Sequence, residues 1–330
     1  MPDRETCMPL RQLGRTQITI SPIGLGCWQF SSGRSLIGKY WGSVQPETIR
    51  EVVRVSWQNG VNWFDTAEVY GRGMSERSLS AGLQAAGVKP EEAIIATKWM
   101  PLGRTADSLT ANIDIRLKEL SPYPISLLQI HNPLSFSSIE SQMKVMAQLI
   151  DAGKIRAAGV SNFNLAQMRR AAETLAAQGY PLASNQMRYN LLDRRIEDNG
   201  VLEYAKQTGI TIIAYSPLAQ GLLTGRFHGQ PERVRSLGGM RKYLSAFQPA
   251  NLRRTQPLID ELKEIAENHK VSPAQVALRW VIQYPGTAVV AIPGASRPSQ
   301  ALQNALVMKF SLSAQELNRL DEVSRSVALK

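Results

Sequence analysis

Short apolar runs of strand character begin near residues 23, 61, 93, 125, 155, 183, 210 and 288, at intervals of 38, 32, 32, 30, 28, 27 and 78. Between them apolar residues recur at helical spacing, as in PETIREVVRVSWQNG from 46, TADSLTANIDIRLKEL from 105, SIESQMKVMAQLIDAG from 138 and NLAQMRRAAETLAAQG from 164. Several of these segments stop at glycine, which ends helices by taking a left-handed backbone. A strand and then a helix, repeated about every 30 residues, is the pattern of parallel βαβ units, because parallel neighbours need a crossover long enough to hold a helix. Eight such strands are enough to close a barrel.

The 78-residue interval predicts a seventh helix from about Thr255, an extra helix with Ser272 as N-cap and Pro273 at its first position, and a long loop. Upstream, MPLRQLGRTQITISPI reads as two short strands around Gly14 to Thr16, a hairpin covering the bottom of the barrel. Near the end, Ser313 and Glu316 in SAQE form a capping box that opens a terminal helix. No linker, repeat or break in composition divides the chain. The expected architecture is a single (β/α)8 TIM barrel domain over residues 1–330, with an N-terminal β-hairpin and extra C-terminal helices. An open doubly wound sheet is disfavoured, since the nearest phosphate turn, Gly24-Leu25-Gly26, lacks the third glycine and the helix that should follow.

Composition narrows the classes. With 330 residues, 43% of them hydrophobic, the chain can bury a large core without staples. Its two cysteines, Cys7 and Cys27, are too few for a disulfide framework and read as reduced thiols. No apolar run reaches the ~18 residues of a membrane span and no signal-peptide pattern opens the chain, so a cytoplasmic protein without membrane contact is expected. The net charge of +11 is concentrated in Arg226, Arg233, Arg235, Arg241, Lys242, Arg253 and Arg254, a stretch whose only acid is Glu232 and which reads as a basic loop. No zinc-finger or aromatic RNA-binding signature accompanies it, so no nucleic-acid partner is expected. His131, His228 and His269 are far apart, with no HExxH motif, and no metal is expected.

In barrels of this kind the chemistry sits at the C-terminal ends of the strands. Asp65 ends VNWFD, Lys98 ends AIIATK, His131 ends ISLLQIH, Ser161 and Asn162 end IRAAGVSN, Gln186 lies in ASNQ, and Tyr215 and Ser216 end TIIAYS. A charge ending an apolar strand needs a partner, and Asp65 and Lys98 from adjacent strands can pair. Tyr70 lies on the loop after the second strand. A phenol with a pKa of about 10 protonates a carbonyl oxygen slowly unless its anion is stabilised. An ammonium at Lys98 would lower the pKa of Tyr70 while Asp65 keeps the lysine charged, and a neutral His131 would orient the substrate oxygen. Carbonyl reduction then needs a hydride from a nicotinamide.

These residues resemble the aldo-keto reductase family from Leu10 to about Asp321. The resemblance is carried by WFDTAEVYGRGMSE (63 to 76), ATK (96 to 98), LLQIHNP (127 to 133), GVSNF (159 to 163), SNQMRYN (184 to 190), AYSPLAQGLLTGR (214 to 226) and IPGASRPSQALQNA (292 to 305). It implies a barrel that binds NADP(H) across its C-terminal face. Asp65, Tyr70, Lys98 and His131 match the family's catalytic tetrad. Ser161, Asn162 and Gln186 match the groups on the nicotinamide carboxamide, and Tyr215 matches the aromatic on which the ring stacks. Ser216, Leu218, Gly221 and Leu223 match the pyrophosphate loop. Gly294, Ala295, Ser296, Arg297, Gln300, Gln303 and Asn304 match the segment around the adenosine and its 2′-phosphate. Some relatives carry Lys-Ser where this chain has Gly294-Ala295, and Arg297 or Arg226 would replace that lysine.

The leading expectation is an NADPH-dependent reductase of aldehydes or ketones. An NADP(H)-binding sensor or auxiliary subunit with little turnover, known among relatives associated with potassium channels, is the second reading. A lyase using Lys98 as a Schiff-base nucleophile is the third. The expected partner is a small carbonyl compound. Its pocket rim is drawn from Cys27, Trp28 and Gln29, the segment Phe30 to Gly42 including Trp41, Trp99 and Met100, Asn132 and Pro133, and the basic loop.

Overall fold

Eight parallel strands form one continuous sheet in chain order: β3 (Leu25–Gly26), β4 (Trp63–Asp65), β5 (Ile94–Trp99), β6 (Leu127–Ile130), β7 (Ala158–Ser161), β8 (Leu182–Arg188), β9 (Thr211–Tyr215) and β10 (Val289–Ala291). They follow a short antiparallel hairpin, β1 (Arg11–Gln12) and β2 (Thr19–Ile20). Parallel bridges from Ile23 to Ala291 and from Gly26 to Gly294 bring the two sheet edges together. The result is a (β/α)8 barrel. The structure is a computed structural model that describes residues 8–31, 44–235 and 244–327. Cys7, Trp41, Arg241, Lys242 and residues 32–42 of the expected rim lie outside the described residues.

Strand alternation sorts the side chains into two cores. Trp63, Ile94, Ala96, Leu127, Ala183, Ile213 and Val290 point inward and meet Leu13, Ile18 and Ile20 from the hairpin. The hairpin therefore stoppers the N-terminal end of the barrel, as expected from the sequence. Arg11 fastens it by donating to the carbonyls of Val289 and of Ile282, the latter at 2.6 Å. Phe64, Ile95, Leu128, Val160, Leu182, Ile212 and Val289 belong to the larger core between barrel and helices. Each such side chain contributes roughly 1.5–3 kcal/mol by leaving water.

The crossovers are α1 (Pro46–Gln58), α2 (Met74–Ala85), α3 (Asp107–Leu120), α4 (Ile139–Asp151), α5 (Leu165–Ala176), and the short α6 (Arg195–Asp198) with α7 (Val201–Thr208). After β9 come α8 (Pro231–Arg235), α9 (Pro249–His269) and α10 (Pro273–Gln283); α11 (Pro298–Leu306) and α12 (Ala314–Val327) follow the last strand. The capping residues read from the sequence behave as expected. Ser272 and Gln275 form a capping box at α10, and Ser313 and Glu316 bond reciprocally at α12.

Two expectations need correction. The helix expected from about Thr255 begins at Pro249, because its first turns are exposed and the buried stripe starts only at Thr255. The basic stretch is correspondingly not one long loop. Arg233 and Arg235 lie in α8, and Arg253 and Arg254 in α9. Among the described residues, no helix is long and apolar enough to cross a membrane, and no group of three or more His, Cys, Asp or Glu side chains is arranged to hold a metal.

Candidate active site

A cleft of about 970 Å³ opens at the C-terminal ends of the strands. At its floor Lys98, pointing inward from β5, pairs with Asp65 at the end of β4 and donates to the Thr66 carbonyl at 2.9 Å. Both charged groups are buried. The other carboxylate oxygen, Oδ2, accepts from Gln186 Nε2 at 2.8 Å and Gln129 Nε2 at 3.1 Å. A buried ion pair is sustainable only when its remaining hydrogen-bonding capacity is met in this way. Burial works against the Lys98 proton, but Asp65 and Tyr70 outweigh it and hold that proton more tightly than in an ordinary lysine.

Tyr70 reaches the same floor from the loop after β4. The turn beside it is tight: Gly71 has φ +66°, and a Cβ there would lie 2.6 Å from the Ser31 carbonyl oxygen, so only glycine fits. The phenol ring sits between Trp28, with centroids 6.0 Å apart, and His131, 5.8 Å away and edge-on. Lys98 Nζ is 5.2 Å from its centroid. Burial raises the phenol above its ordinary value, and Lys98 pulls it back only in part. Lys98 acts in the expected direction, but the larger opposing cost of desolvation prevails. Burial and the Lys98 charge push His131 down to about 3, so its imidazole is neutral, and its Nδ1 has no partner among the described residues.

The wall opposite Tyr70 comes from β7, β8 and β9. Ser161 donates to the Gln186 carbonyl at 3.0 Å, and Asn162 donates to Ser161 Oγ at the same distance while accepting from the Tyr215 hydroxyl. Asn162 at φ +60° and Ser216 at φ +49° leave their strands through left-handed backbone, which re-aims both chain ends at the cleft. Ser216, Leu218, Gly221, Arg226, Gly294, Ser296, Arg297 and Gln300 continue the lining towards the far end. Gln29 packs so closely on Gly294 that a Cβ would come within 2.1 Å of its amide nitrogen. Ser296 donates twice to Gln300 Oε1, at 3.0 and 3.1 Å. Arg226 and Arg297 have no acidic partner among the described residues, and burial, followed by the charges of Arg297 and Arg233, lowers the hold of Arg226 on its proton.

Not every expected residue reaches the cleft. Leu223 and Ala295 are buried in the core behind it, Asn304 donates to the Gly294 carbonyl at 3.4 Å from outside, and Gln303 is exposed on α11. Trp99 follows the inward Lys98 and so points outward; it is buried and donates to Ser108 at 3.1 Å. Asn132 turns to Met100 Sδ at 3.2 Å and to the Leu134 amide, outside the lining, whereas Trp28 and Met100 do line it. Gln129 and Arg188 were not singled out beforehand. Counting back two from His131 and forward two from Gln186 along the strands finds both, since alternate residues share a face.

Fold and floor define a (β/α)8 protein with a carboxylate, phenol, ammonium and imidazole gathered at the open end of the barrel. The chain belongs to the aldo/keto reductase family, whose model matches residues 22–325. It is 39% identical over 308 residues to an uncharacterized oxidoreductase of Mycobacterium bovis, covering 93% of this chain and 90% of that protein. It is 26% identical over 327 residues to the aldo-keto reductase yakc [NADP(+)] of Schizosaccharomyces pombe, covering 96% and 91%. Among solved structures it superimposes on the glycerol dehydrogenase of Gluconobacter oxydans with a TM-score of 0.82 at 29% identity, covering 97% of each chain.

Proposed function

We propose that the protein is an NADP(H)-dependent oxidoreductase that reduces aldehydes or ketones to alcohols, working as one barrel domain with Tyr70 as the proton donor. The observation that carries this reading is the buried Lys98–Asp65 pair beneath a Tyr70 ring flanked by His131. A bound reduced nicotinamide would supply the hydride. The chain's own residues do the rest. Tyr70 releases its proton to the carbonyl oxygen, Lys98 stabilises the phenolate left behind, and Asp65 keeps Lys98 charged and aimed. Neutral His131 donates a hydrogen bond that orients the oxygen. The cleft fits the cofactor: two guanidiniums, Arg226 and Arg297, suit the 2′-phosphate, Tyr215 offers a flat face, and Ser161, Asn162 and Gln186 offer polar atoms for a carboxamide. A lysine that retains its proton is a poor nucleophile, which speaks against Schiff-base chemistry at Lys98.

The test is NADPH oxidation against a panel of aldehydes, ketones and dicarbonyls, with Tyr70→Phe as control. The variant should bind NADPH as the wild type does and lose carbonyl reduction by at least about a hundredfold. A Tyr70→Phe protein that retains most of its turnover refutes the role of Tyr70. Tight NADPH binding with almost no turnover in the wild type would instead indicate the cofactor-sensing role.

A further inference from the structure

Gln129 is buried inside the barrel on β6, one strand from Lys98 and two from Gln186. Its amide nitrogen donates to Asp65 Oδ2 at 3.1 Å, and its amide oxygen accepts from Gln186 Nε2 at 3.2 Å. Gln186 Nε2 also donates to Asp65 Oδ2 at 2.8 Å. The three side chains thus close a triangle of hydrogen bonds under the cleft. A carboxylate only accepts, so both amides must turn their nitrogen towards Asp65. The second N–H of Gln186 is then taken by the oxygen of Gln129. Gln186 Oε1 receives no hydrogen bond from the described residues, and Gln186 lines the cleft.

We propose that Gln129 is a positioning residue that locks the Gln186 amide with its oxygen towards the cleft, where it accepts an N–H of the cofactor's carboxamide. The inference rests on the NADP(H) reading above. A glutamine amide is otherwise free to turn about its last torsion, whose energy profile is broad and two-fold. With one N–H bound to Asp65 and the other to Gln129, a flip would set the Gln186 oxygen against two acceptors. Remove the Gln129 oxygen and one of the two anchors is gone, so Asp65 alone opposes a flip and the amide is held less strictly. The same triangle joins the group that reads the cofactor to the pair beneath Tyr70.

The test compares dissociation constants, read by quenching of protein fluorescence, for NADP⁺ and for its 3-acetylpyridine analogue. The analogue replaces the amide with a methyl ketone and so lacks the N–H. Wild type should favour NADP⁺ by about fivefold to tenfold, one hydrogen bond's worth. Gln129→Met keeps the length but has no acceptor for Gln186, and its preference should fall at least about twofold from the wild-type value. Gln129→Glu, assayed where its carboxyl is protonated, donates to Asp65 in place of the amide, keeps an acceptor for the Gln186 N–H and should retain the preference. Gln129→Met combined with Gln186→Leu should discriminate no less than Gln186→Leu alone. A full preference in Gln129→Met, or its loss in a folded Gln129→Glu, overturns the proposal, and so does a wild type that binds both equally. If Gln129→Met does not fold, Gln129→Glu still decides. Failure of the wild type to bind NADP⁺ at all would instead refute the reductase reading.

Discussion

Glu76 offers the sharpest check on the electrostatics. It lies on α2 and is fully buried against the outer face of β5, where Thr97 donates to its Oε1 at 2.7 Å and Arg116 lies 2.8 Å from Oε2. Burial raises its carboxyl to about 7; Arg116 and the Thr97 hydrogen bond oppose that, and Glu68 and Glu119 add to it. The folded state therefore binds the proton more tightly than the unfolded chain, whose glutamates titrate near 4.5. The associated stability is complete below that value and is lost as pH rises through 7. Between about pH 5 and about pH 8.5 the loss is about 2.5 kcal/mol, from 1.36 kcal/mol per unit of pKa difference. Glu76→Gln keeps an acceptor for Thr97 and removes the titration. Urea unfolding of both proteins at the two pH values isolates this group from all others. The variant should gain about 2.5 kcal/mol on the wild type as pH rises. Parallel pH dependences would refute this account and show that Arg116 keeps Glu76 ionised throughout.

The other predictions concern the cleft. Because His131 titrates near 3, kcat/KM for reduction should show no imidazole ionisation between about pH 5 and pH 7, whereas an acid limb near the ordinary 6.5 would contradict its burial. The same shift makes stability fall as pH drops from 6.5 towards 3, and His131→Asn should flatten that part of the profile. Arg297→Met should raise the KM for NADPH about tenfold or more and leave the KM for NADH nearly unchanged; an equal effect on both would remove the 2′-phosphate assignment. Gly71→Ala must accept both φ +66° and a 2.6 Å contact with Ser31, so it should cost about 1–3 kcal/mol and reduce kcat more than KM by displacing Tyr70, as steady-state kinetics will read.

The sequence discloses the barrel because each strand presents an apolar run and each crossover a 3.6-residue stripe, and all eight strands begin within a few residues of the expected positions. Lys98 and Asp65 were readable as a pair because they end adjacent strands. Direction was harder. Trp99 belongs to the segment that supplies Lys98, and only the strand's two-residue period shows that the two must face opposite ways. The net shift of Tyr70 was illegible for a different reason: it is a balance between Lys98, visible in the sequence, and desolvation by elements distant along the chain. Gln129 sits in plain view in LLQIH, but its role depends on which way two amides turn about a shared carboxylate. Helix onset failed at α9 because a solvated first turn leaves no apolar signature.

The stopper formed by β1 and β2 has a kinetic implication. With Leu13, Ile18 and Ile20 seated in the far end, the floor at Asp65 opens, among the described residues, towards the cleft at the C-terminal ends of the strands. If cofactor and carbonyl compound both enter by that face, as the proposed reading requires, the one that lies deeper must arrive first and leave last.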